Sequence, residues 1–263
     1  MPNPYHQSRC CILVASCDAY QDLWKPFFDT FFRQWPACPY TIYLLSNRAT
    51  ASISRVRPIT TGTDTSWSAN LRNGLQQIKE EFVLLFLEDL ILTAAVDTAR
   101  VEKLIAWSVE HDADCTKMLP VPPPDHPEND MVGCVSAGTL YRVSTVMTFW
   151  KRSVLDGILV DSENAWEFEV FGSVRSDRFC RFYAAHSHSF TFLNAVTRGK
   201  WRPEAVTFLR KLGLLADTAA RPKLSLLEQG QFRLRLMRYS CLQLFPAGKR
   251  RMIRGLLTHS AKL

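Results

Sequence analysis

Continuous apolar runs alternate with helix-like segments along the first half of the chain. The runs lie at residues 10–16, 41–45 and 82–87, each of which predicts a buried strand, and a further strand is expected at 115–119. Between them, apolar residues recur at helical spacing in segments that begin near Asp22, near Ser66 or Ser68, and near Asp97, which are residues that commonly cap helices. This alternation indicates an α/β fold with a mainly parallel central sheet and helices on both faces. In such sheets, ligands bind beyond the carboxyl ends of the strands.

The pattern changes after a proline-rich break at residues 120–129. Residues 132–144 predict a hairpin or two short strands. Helices are expected at 149–155 and 166–173, and further strands at 179–184 and 189–193.

Composition and charge are those of an ordinary globular protein with an unusual tail. The chain has 263 residues, of which 47% are hydrophobic and 22% charged, values that exclude a disordered, collagen-like or coiled-coil protein. The net charge of +7 is uneven, because residues 221–263 hold ten Lys and Arg against one acid, Glu228. That segment therefore carries +9 and the first 220 residues −2. We divide the chain into an α/β domain at 1–220 and a basic helical C-terminal tail at 221–263.

Targeting signals and cysteine usage indicate the compartment. No apolar run approaches the roughly 20 residues that a membrane-spanning helix needs. The first nine residues are polar and lack the pattern of a signal peptide. The eight cysteines include no C-x-x-C pair, which favours reduced, buried thiols over zinc or redox chemistry. We therefore expect a cytoplasmic protein.

Two acidic residues, Glu88 and Asp89, directly follow the most apolar strand, 82–87. Burying carboxylates at that position is costly unless they are paired. A divalent metal that also holds a diphosphate is one such partner. The alternative is a turn or helix cap in which Asp89 accepts backbone N–H bonds.

A second acidic pair lies on a predicted helix, in the sequence Trp166-Glu167-Phe168-Glu169. Asn164 and Glu167 have capping-box spacing, which gives Glu167 a structural role. Glu169 is not needed for the cap and is a candidate general base. The alternative for Glu169 is a solvated helix face.

Two further groups suit a phosphate-bearing ligand. Trp67 and Ser68 open a helix whose free N–H groups suit an anion, and Arg72 lies one turn on. Arg198 and Lys200 flank a glycine and would neutralise a leaving phosphate. For these groups the structural alternatives are a core tryptophan with a simple serine cap, and a surface turn.

Seven stretches, in this order, resemble bacterial GT-A type glycosyltransferases of lipopolysaccharide, O-antigen and capsule biosynthesis. They are 16–28 (SCDAYQDLWKPFF), 67–71 (WSANL), 86–92 (FLEDLIL), 141–144 (YRVS), 149–155 (FWKRSVL), 166–169 (WEFE) and 194–201 (NAVTRGKW). The resemblance covers roughly residues 10–205. The resemblance implies a GT-A-like, Rossmann-like fold and transfer from a nucleotide-sugar donor, with a UDP-sugar favoured, to a saccharide or lipid-linked acceptor.

The resemblance also implies roles for particular residues. Asp18 and Tyr20 would contact the base or ribose, and Trp67, Ser68 and Arg72 would contact the donor. Asp89, with Glu88 beside it, would take the place of the metal-binding aspartate. Glu169 would deprotonate the acceptor in an inverting transfer, with Glu167 as the alternative base.

The metal requirement stays open at the sequence level. The family's Asp-x-Asp is replaced here by Glu-Asp-Leu. Either Mn²⁺ or Mg²⁺ is held by Asp89 with Glu88 or a histidine, or the enzyme is metal-free and Arg198 and Lys200 stabilise the leaving diphosphate electrostatically.

Other classes of protein remain as alternatives. A nucleotidyltransferase would bring a glycine-rich phosphate loop near the first strand, and residues 16–20 contain no glycine. A non-catalytic homologue is compatible with the altered metal motif. A nucleic-acid-binding tail would interleave cations with exposed aromatics, which are few here, so we expect no nucleic-acid partner.

The tail itself has the pattern of an interfacial helix. Ser225 and Glu228 have capping-box spacing. An apolar stripe follows at Leu227, Leu234, Met237, Cys241 and Leu244, flanked by Arg235 and Arg238 and followed by Lys249, Arg250, Arg251 and Arg254. Such a helix would hold the enzyme at an anionic membrane surface. Alternatively, the stripe packs on the enzyme's own core.

Overall fold

Strands and helices alternate through the chain much as its apolar pattern predicts. The computed structural model describes residues 4–214, 221–231, 249, 252 and 253. The helices are α1 (Pro4–Ser8), α2 (Gln21–Gln34), α3 (Trp67–Gln76), α4 (Thr98–Glu110), α5 (Arg152–Ile158), α6 (Ala165–Arg175) and α7 (Pro203–Lys211), with 3-10 turns at Asp18–Tyr20 and Ser176–Arg178. The strands are β1 (Cys10–Ala15), β2 (Thr41–Ser46), β3 (Val56–Thr60), β4 (Phe82–Leu87), β5 (Leu90–Leu92), β6 (Cys115–Lys117), β7 (His126–Pro127), β8 (Val132–Cys134), β9 (Thr148–Lys151), β10 (Phe182–Ala185), β11 (Phe192–Asn194), β12 (Val196–Thr197) and β13 (Lys200–Trp201).

Nine of these strands form one sheet in the order β3-β2-β1-β4-β9-β6-β10-β8-β7. β1 pairs in parallel with β2 and β4, β2 with β3, and β6 with β10. β9 is antiparallel to both of its neighbours, and β8 is antiparallel to β10 and β7. All strands of this sheet except β8 and β9 therefore run in one direction. This confirms the predicted mainly parallel α/β sheet.

The sheet is covered on both faces. Successive strand residues point to opposite sides, so Ile12 and Val14 of β1 pack in one apolar layer with α2, α4 and α7. Cys11 and Leu13 pack in the other layer with α3, α5 and α6. Burial on both sides explains why β1 and β4 are apolar at every position.

Several predicted boundaries are confirmed. The 82–87 run is β4, and the 10–16 run is β1 with one residue fewer. Ser66, rather than Ser68, caps α3, because its Oγ accepts the Ala69 N–H at 3.0 Å. Asp97 caps α4 by accepting the Arg100 N–H.

Three local predictions are wrong. Asp22 does not cap α2, because its carboxylate accepts hydrogen bonds from Arg221 and Tyr20 holds the N-cap position. The stretch at 149–155 is not one helix but β9 followed by α5, since a stretch this short, with charged residues at its middle, does not show either period. Within 132–144 only β8 forms. β3 was not predicted, because it is a largely exposed edge strand that contains Pro58.

The first residues of the predicted tail pack on the α/β domain. Lys223 bridges to Trp201, and Leu224 is buried. Helical turns at 226–231 begin with the predicted capping box, in which the Glu228 Oε2 accepts the Ser225 N–H at 2.8 Å. Leu227 is exposed. The rest of the predicted stripe, Leu234, Met237, Cys241 and Leu244, lies outside the described residues, as do Arg235, Arg238, Arg250, Arg251 and Arg254.

Candidate functional site

A cavity of about 480 Å³ opens at the carboxyl edge of the parallel strands. It lies where β1, β2 and β4 end and where α3 and α6 begin. Its walls are formed by Ala15, Ser16, Cys17, Tyr20, Leu45, Asp64, Thr65, Ser66, Trp67, Asn70, Leu87, Glu88, Asp89 and Ala165. The sheet edge that topology favours for ligand binding therefore carries a cavity of ligand size.

The two acids after β4 lie together in this cavity. Glu88 is 8% exposed, and the Asp89 Oδ1 is enclosed without a hydrogen-bond partner in the described part of the chain. Burial, and then the charge of Asp89, raise the pKa of Glu88 well above its usual range. Burial also raises the pKa of Asp89, to about 6. A cationic ligand beside the pair would lower both pKa values and so favour the ionised carboxylates.

The acid pair fits a divalent cation whose remaining ligands come from water or from substrate phosphates. Within residues 4–214, 221–231, 249, 252 and 253, no three or more His, Cys, Asp or Glu side chains form a group that could hold a metal ion. Mg²⁺ and similar ions, however, often bind through one or two carboxylates, water and substrate phosphates. The orphaned Asp89 Oδ1 suits that arrangement, with Glu88 or ligand oxygens completing it.

The aromatic part of the wall is supplied by Tyr20 and Trp67. Tyr20 ends the 3-10 turn after β1. Trp67 opens α3, and its ring packs 5.3 Å from that of the fully buried Phe168 of α6. Both rings therefore offer apolar surface beside the acids.

Residues at the start of α3 and in the loop before it complete the cavity wall. Asp64 and Asn70 line the cavity and are joined by a 2.7 Å hydrogen bond from the Asn70 Nδ2 to the Asp64 Oδ1. The Ser66 Oγ caps the helix and also donates to the Asp161 carbonyl. Sequence reasoning missed Asp64, Asn70 and Cys17. Asp64 sits in a polar loop without periodicity, and nothing in the spacing relates it to β1 or β4.

Three expected donor-binding residues do not line the cavity. Asp18 accepts backbone N–H bonds from residues 47, 48 and 49 at 2.9–3.1 Å, so it holds the loop after β2. Ser68 is fully buried, and its Oγ has no partner among the described residues. Arg72 is neutralised by Asp156 and Asp161 and ties α3 to α5. The physical reason is the same in each case, because contacts with segments distant in sequence already use these side chains or enclose them.

Arg198 and Lys200 also lie outside the cavity wall. Arg198 is exposed at the turn between β12 and β13, where it and Gly199 adopt positive φ. The Lys200 Nζ donates to the Glu228 Oε1 at 2.6 Å. The surface-turn alternative describes this arrangement better than a phosphate clamp.

The two acids of α6 have different surroundings. Asn164 and Glu167 form the predicted capping box, with the Asn164 N–H donating to the Glu167 Oε2 at 2.9 Å. The Glu169 Oε1 accepts three hydrogen bonds, from the Ser144 Oγ and from the Thr145 N–H and Oγ, at 2.7–3.1 Å. Neither acid is part of the cavity wall, although Ala165, one turn before Glu169, is.

A buried lysine accompanies Glu169. Lys117 is 2% exposed, and its Nζ donates to the Tyr141 carbonyl at 2.6 Å. Burial lowers the pKa of Lys117 to about 8, and the negative charge of Glu169 opposes that fall. Sequence reasoning did not find Lys117, because a short strand gives no sign that its last residue is enclosed.

Comparison with known proteins yields structural likenesses only. No protein-family model and no curated protein matches this sequence. Residues 1–349 of S. aureus TarS in complex with UDP-GlcNAc are 13% identical, with a TM-score of 0.43 over 79% of this chain and 66% of that chain. The mannosyltransferase PcManGT from Pyrobaculum calidifontis, in complex with GDP-Man and Mn²⁺, is 11% identical, with a TM-score of 0.48 over 97% of this chain and 88% of that chain.

The likeness to TarS is partial. The chain spans 60% of another structure of TarS residues 1–349 and 36% of a longer TarS structure. Identities and TM-scores this low do not assign the chain to the family of either protein.

Proposed function

We propose that this protein is a glycosyltransferase that uses a nucleotide-sugar donor. The observation that carries the proposal is the cavity at the carboxyl edge of β1, β2 and β4, where a buried acid pair, two aromatic rings and a helix start converge. Its volume lies in the range of about 300–1,000 Å³ that is typical of small-molecule sites. The resemblance of the sequence motifs to GT-A enzymes points to the same chemistry.

The chemistry of the cavity wall supports donor binding there. Tyr20 and Trp67 offer faces for the nucleoside, and a UDP-sugar is the favoured donor. Glu88 and Asp89 would hold Mn²⁺ or Mg²⁺, which supplies positive charge for the diphosphate when bound. In the first turn of α3 the Ser68 and Ala69 N–H groups already donate to the Glu163 carbonyl and the Ser66 Oγ, so they are not proposed to hold the diphosphate.

Glu169 is the proposed base of an inverting transfer. The acceptor hydroxyl oxygen attacks the anomeric carbon while Glu169 takes the hydroxyl proton, and the bond to the nucleoside diphosphate breaks with its electron pair leaving on the phosphate oxygen. The hydrogen bonds from Ser144 and Thr145 to the Glu169 Oε1 support this role, because they orient the carboxylate. Glu167 is the weaker candidate, since its carboxylate serves the helix cap.

The proposed acceptor is a growing bacterial surface polysaccharide or a lipid-linked saccharide, met at the cytoplasmic face of a membrane. None of the helices in the described residues combines the length and apolar composition that crossing a bilayer requires. The +9 charge of residues 221–263 supports peripheral binding to anionic lipid. Cosedimentation with anionic and neutral liposomes at low and high salt tests this claim, and binding that ignores lipid charge would contradict it.

The donor is tested by ligand-dependent thermal stabilisation, since selective binding raises stability by mass action. UDP, GDP, and nucleoside monophosphates are each added with and without Mn²⁺, followed by transfer and hydrolysis assays with UDP-GlcNAc and GDP-Man. Stabilisation by a nucleoside diphosphate together with sugar release supports the proposal. No stabilisation by any nucleotide and no turnover would contradict it.

A further inference from the structure

One residue that packs against the cavity wall, on the Tyr20 ring, comes from the predicted tail. Arg221 is only 9% exposed. Its guanidinium carbon lies 4.1 Å from the centroid of the Tyr20 ring, and Tyr20 lines the cavity. The Arg221 Nε and Nη2 donate to the Asp22 carboxylate at 2.7 and 2.8 Å, and Nη2 also donates to the Ala19 carbonyl. The guanidinium thus covers the 3-10 turn that carries Tyr20.

The segment that carries Arg221 is anchored at several points outside the cavity. The Trp201 N–H donates to the Pro222 carbonyl at 2.8 Å, and the Leu224 N–H donates to the Trp201 carbonyl at 2.9 Å. Glu228 pairs with Lys200. These contacts hold residues 221–228 on the domain without Arg221, so an arginine buried over Tyr20 is not required merely to attach the segment.

Charge explains what Arg221 adds. Glu88 and Asp89 line the cavity, Asp22 lies behind Tyr20 as the partner of Arg221, and a diphosphate would bring further negative charge. The Arg221 guanidinium lies against Tyr20, which lines the cavity together with Glu88 and Asp89, so its positive charge stands beside the acid pair. The Arg221 guanidinium faces the Tyr20 ring on one side and the Asp22 carboxylate on another.

We propose that Arg221 is a charge-compensating residue of the donor site: held against Tyr20 by Asp22, it offsets the acidic charge beside the cavity so that a nucleoside diphosphate can enter. This inference rests on the proposed function, and it makes the start of the basic tail part of the donor site. The effect should fall on the charged part of the ligand, because a neutral nucleoside gains nothing from the offset charge.

The test is calorimetric titration of full-length protein with UDP and GDP, and with uridine and guanosine as uncharged probes. Arg221→Met should weaken diphosphate binding by about tenfold and weaken nucleoside binding much less, and the difference should shrink at high salt. Arg221→Lys, which keeps the charge, should retain most of the diphosphate affinity. Thermal melting of each variant verifies that it is folded.

Two further variants separate charge from anchoring. Asp22→Asn keeps a hydrogen-bond acceptor for Arg221 but removes one negative charge, so it should bind the diphosphate as tightly as wild type or more tightly. Glu228→Gln loosens the same segment away from the cavity and should leave diphosphate affinity unchanged.

The results that overturn the inference are distinct from failure of the proposed function. Equal weakening by Arg221→Met and Asp22→Asn would reduce Arg221 to a structural staple and overturn it. So would a loss that is equal for nucleoside and diphosphate, or wild-type affinity in Arg221→Met. Absence of diphosphate binding by the wild-type protein would overturn the proposed function, and this inference with it.

Discussion

Replacing Glu169 with glutamine separates the proposed chemical role of this residue from its structural one. The Glu169 Oε1 accepts three hydrogen bonds from Ser144 and Thr145. Glutamine has the same shape and keeps a carbonyl oxygen that can accept these bonds. It cannot take a proton from an acceptor hydroxyl at neutral pH, so the fold should survive a change that removes the base.

The size of each effect follows from these contacts. A hydrogen bond to a charged group contributes about 1.5–3 kcal/mol and a neutral one about 0.5–1.5 kcal/mol, so Glu169→Gln should lower the free energy of unfolding by about 1–3 kcal/mol. General-base catalysis contributes about 10²–10⁴-fold to rate. Turnover should therefore fall by on the order of 10² or more, with donor affinity little changed.

Glu167→Gln is the matched control, two residues away on the same helix. It weakens the capping box with Asn164 and should cost up to about 1 kcal/mol of stability, with turnover nearly unchanged. Initial rates at saturating donor and acceptor give turnover, and urea unfolding with an unchanged slope gives stability.

The refuting results are specific. Near-normal turnover in Glu169→Gln, with the protein folded and donor bound, would show that Glu169 is not the base. If Glu167→Gln instead loses turnover while Glu169→Gln loses only stability, the base is Glu167 and the capping argument is wrong.

Three further predictions test other parts of the molecule. Asp89→Ala should abolish transfer without lowering the free energy of unfolding, because its Oδ1 is enclosed without a partner; near-normal transfer would place the donor elsewhere. Phe168→Ala should cost about 3–5 kcal/mol in urea unfolding, while Trp166→Ala, at a side chain 74% exposed, should cost under about 0.5 kcal/mol; equal losses would contradict the packing described. Burial lowers the pKa of Lys117 to about 8 from about 10.4, so the unfolded chain binds more protons between these values. The stability of wild type relative to Lys117→Met should therefore rise from pH 8 to 10.4, and a flat difference would show that Lys117 is not buried as a cation.

The regular elements of the α/β domain could be predicted because the sequence pattern that marks each of them lies within a few consecutive residues. β4 is apolar at every position, which is the pattern of a strand covered on both faces. Asp97 caps α4 through the N–H of Arg100, which is only three residues away in the sequence. The run at 149–155 could not be divided into β9 and α5, because neither half shows a period. The pairing of β9 with β4 and β6 joins segments that are far apart in the sequence, so no short stretch of residues predicts it.

Some residues of the candidate site could likewise be predicted from the sequence, and the contacts of others could not. The acid pair Glu88 and Asp89 was predicted from its place after an apolar strand, and it lines the cavity. Arg72 and Lys200 were equally plausible as phosphate ligands from their sequence. They are engaged instead by Asp161 and Glu228, partners 89 and 28 residues away.

By itself, then, the sequence determined the elements whose apolar pattern repeats over a few residues, the cap of α6 at Asn164, and the acids at the end of β4. Only the tertiary structure decided which charged side chains are free to meet a ligand. A cation's neighbours depend on pairings between distant segments, as when Arg221 reaches Asp22 across 199 positions and comes to lie over Tyr20. Charge neutralisation and burial are properties of that arrangement in space, so no local pattern could reveal that the start of the tail packs on Tyr20, a residue of the cavity wall.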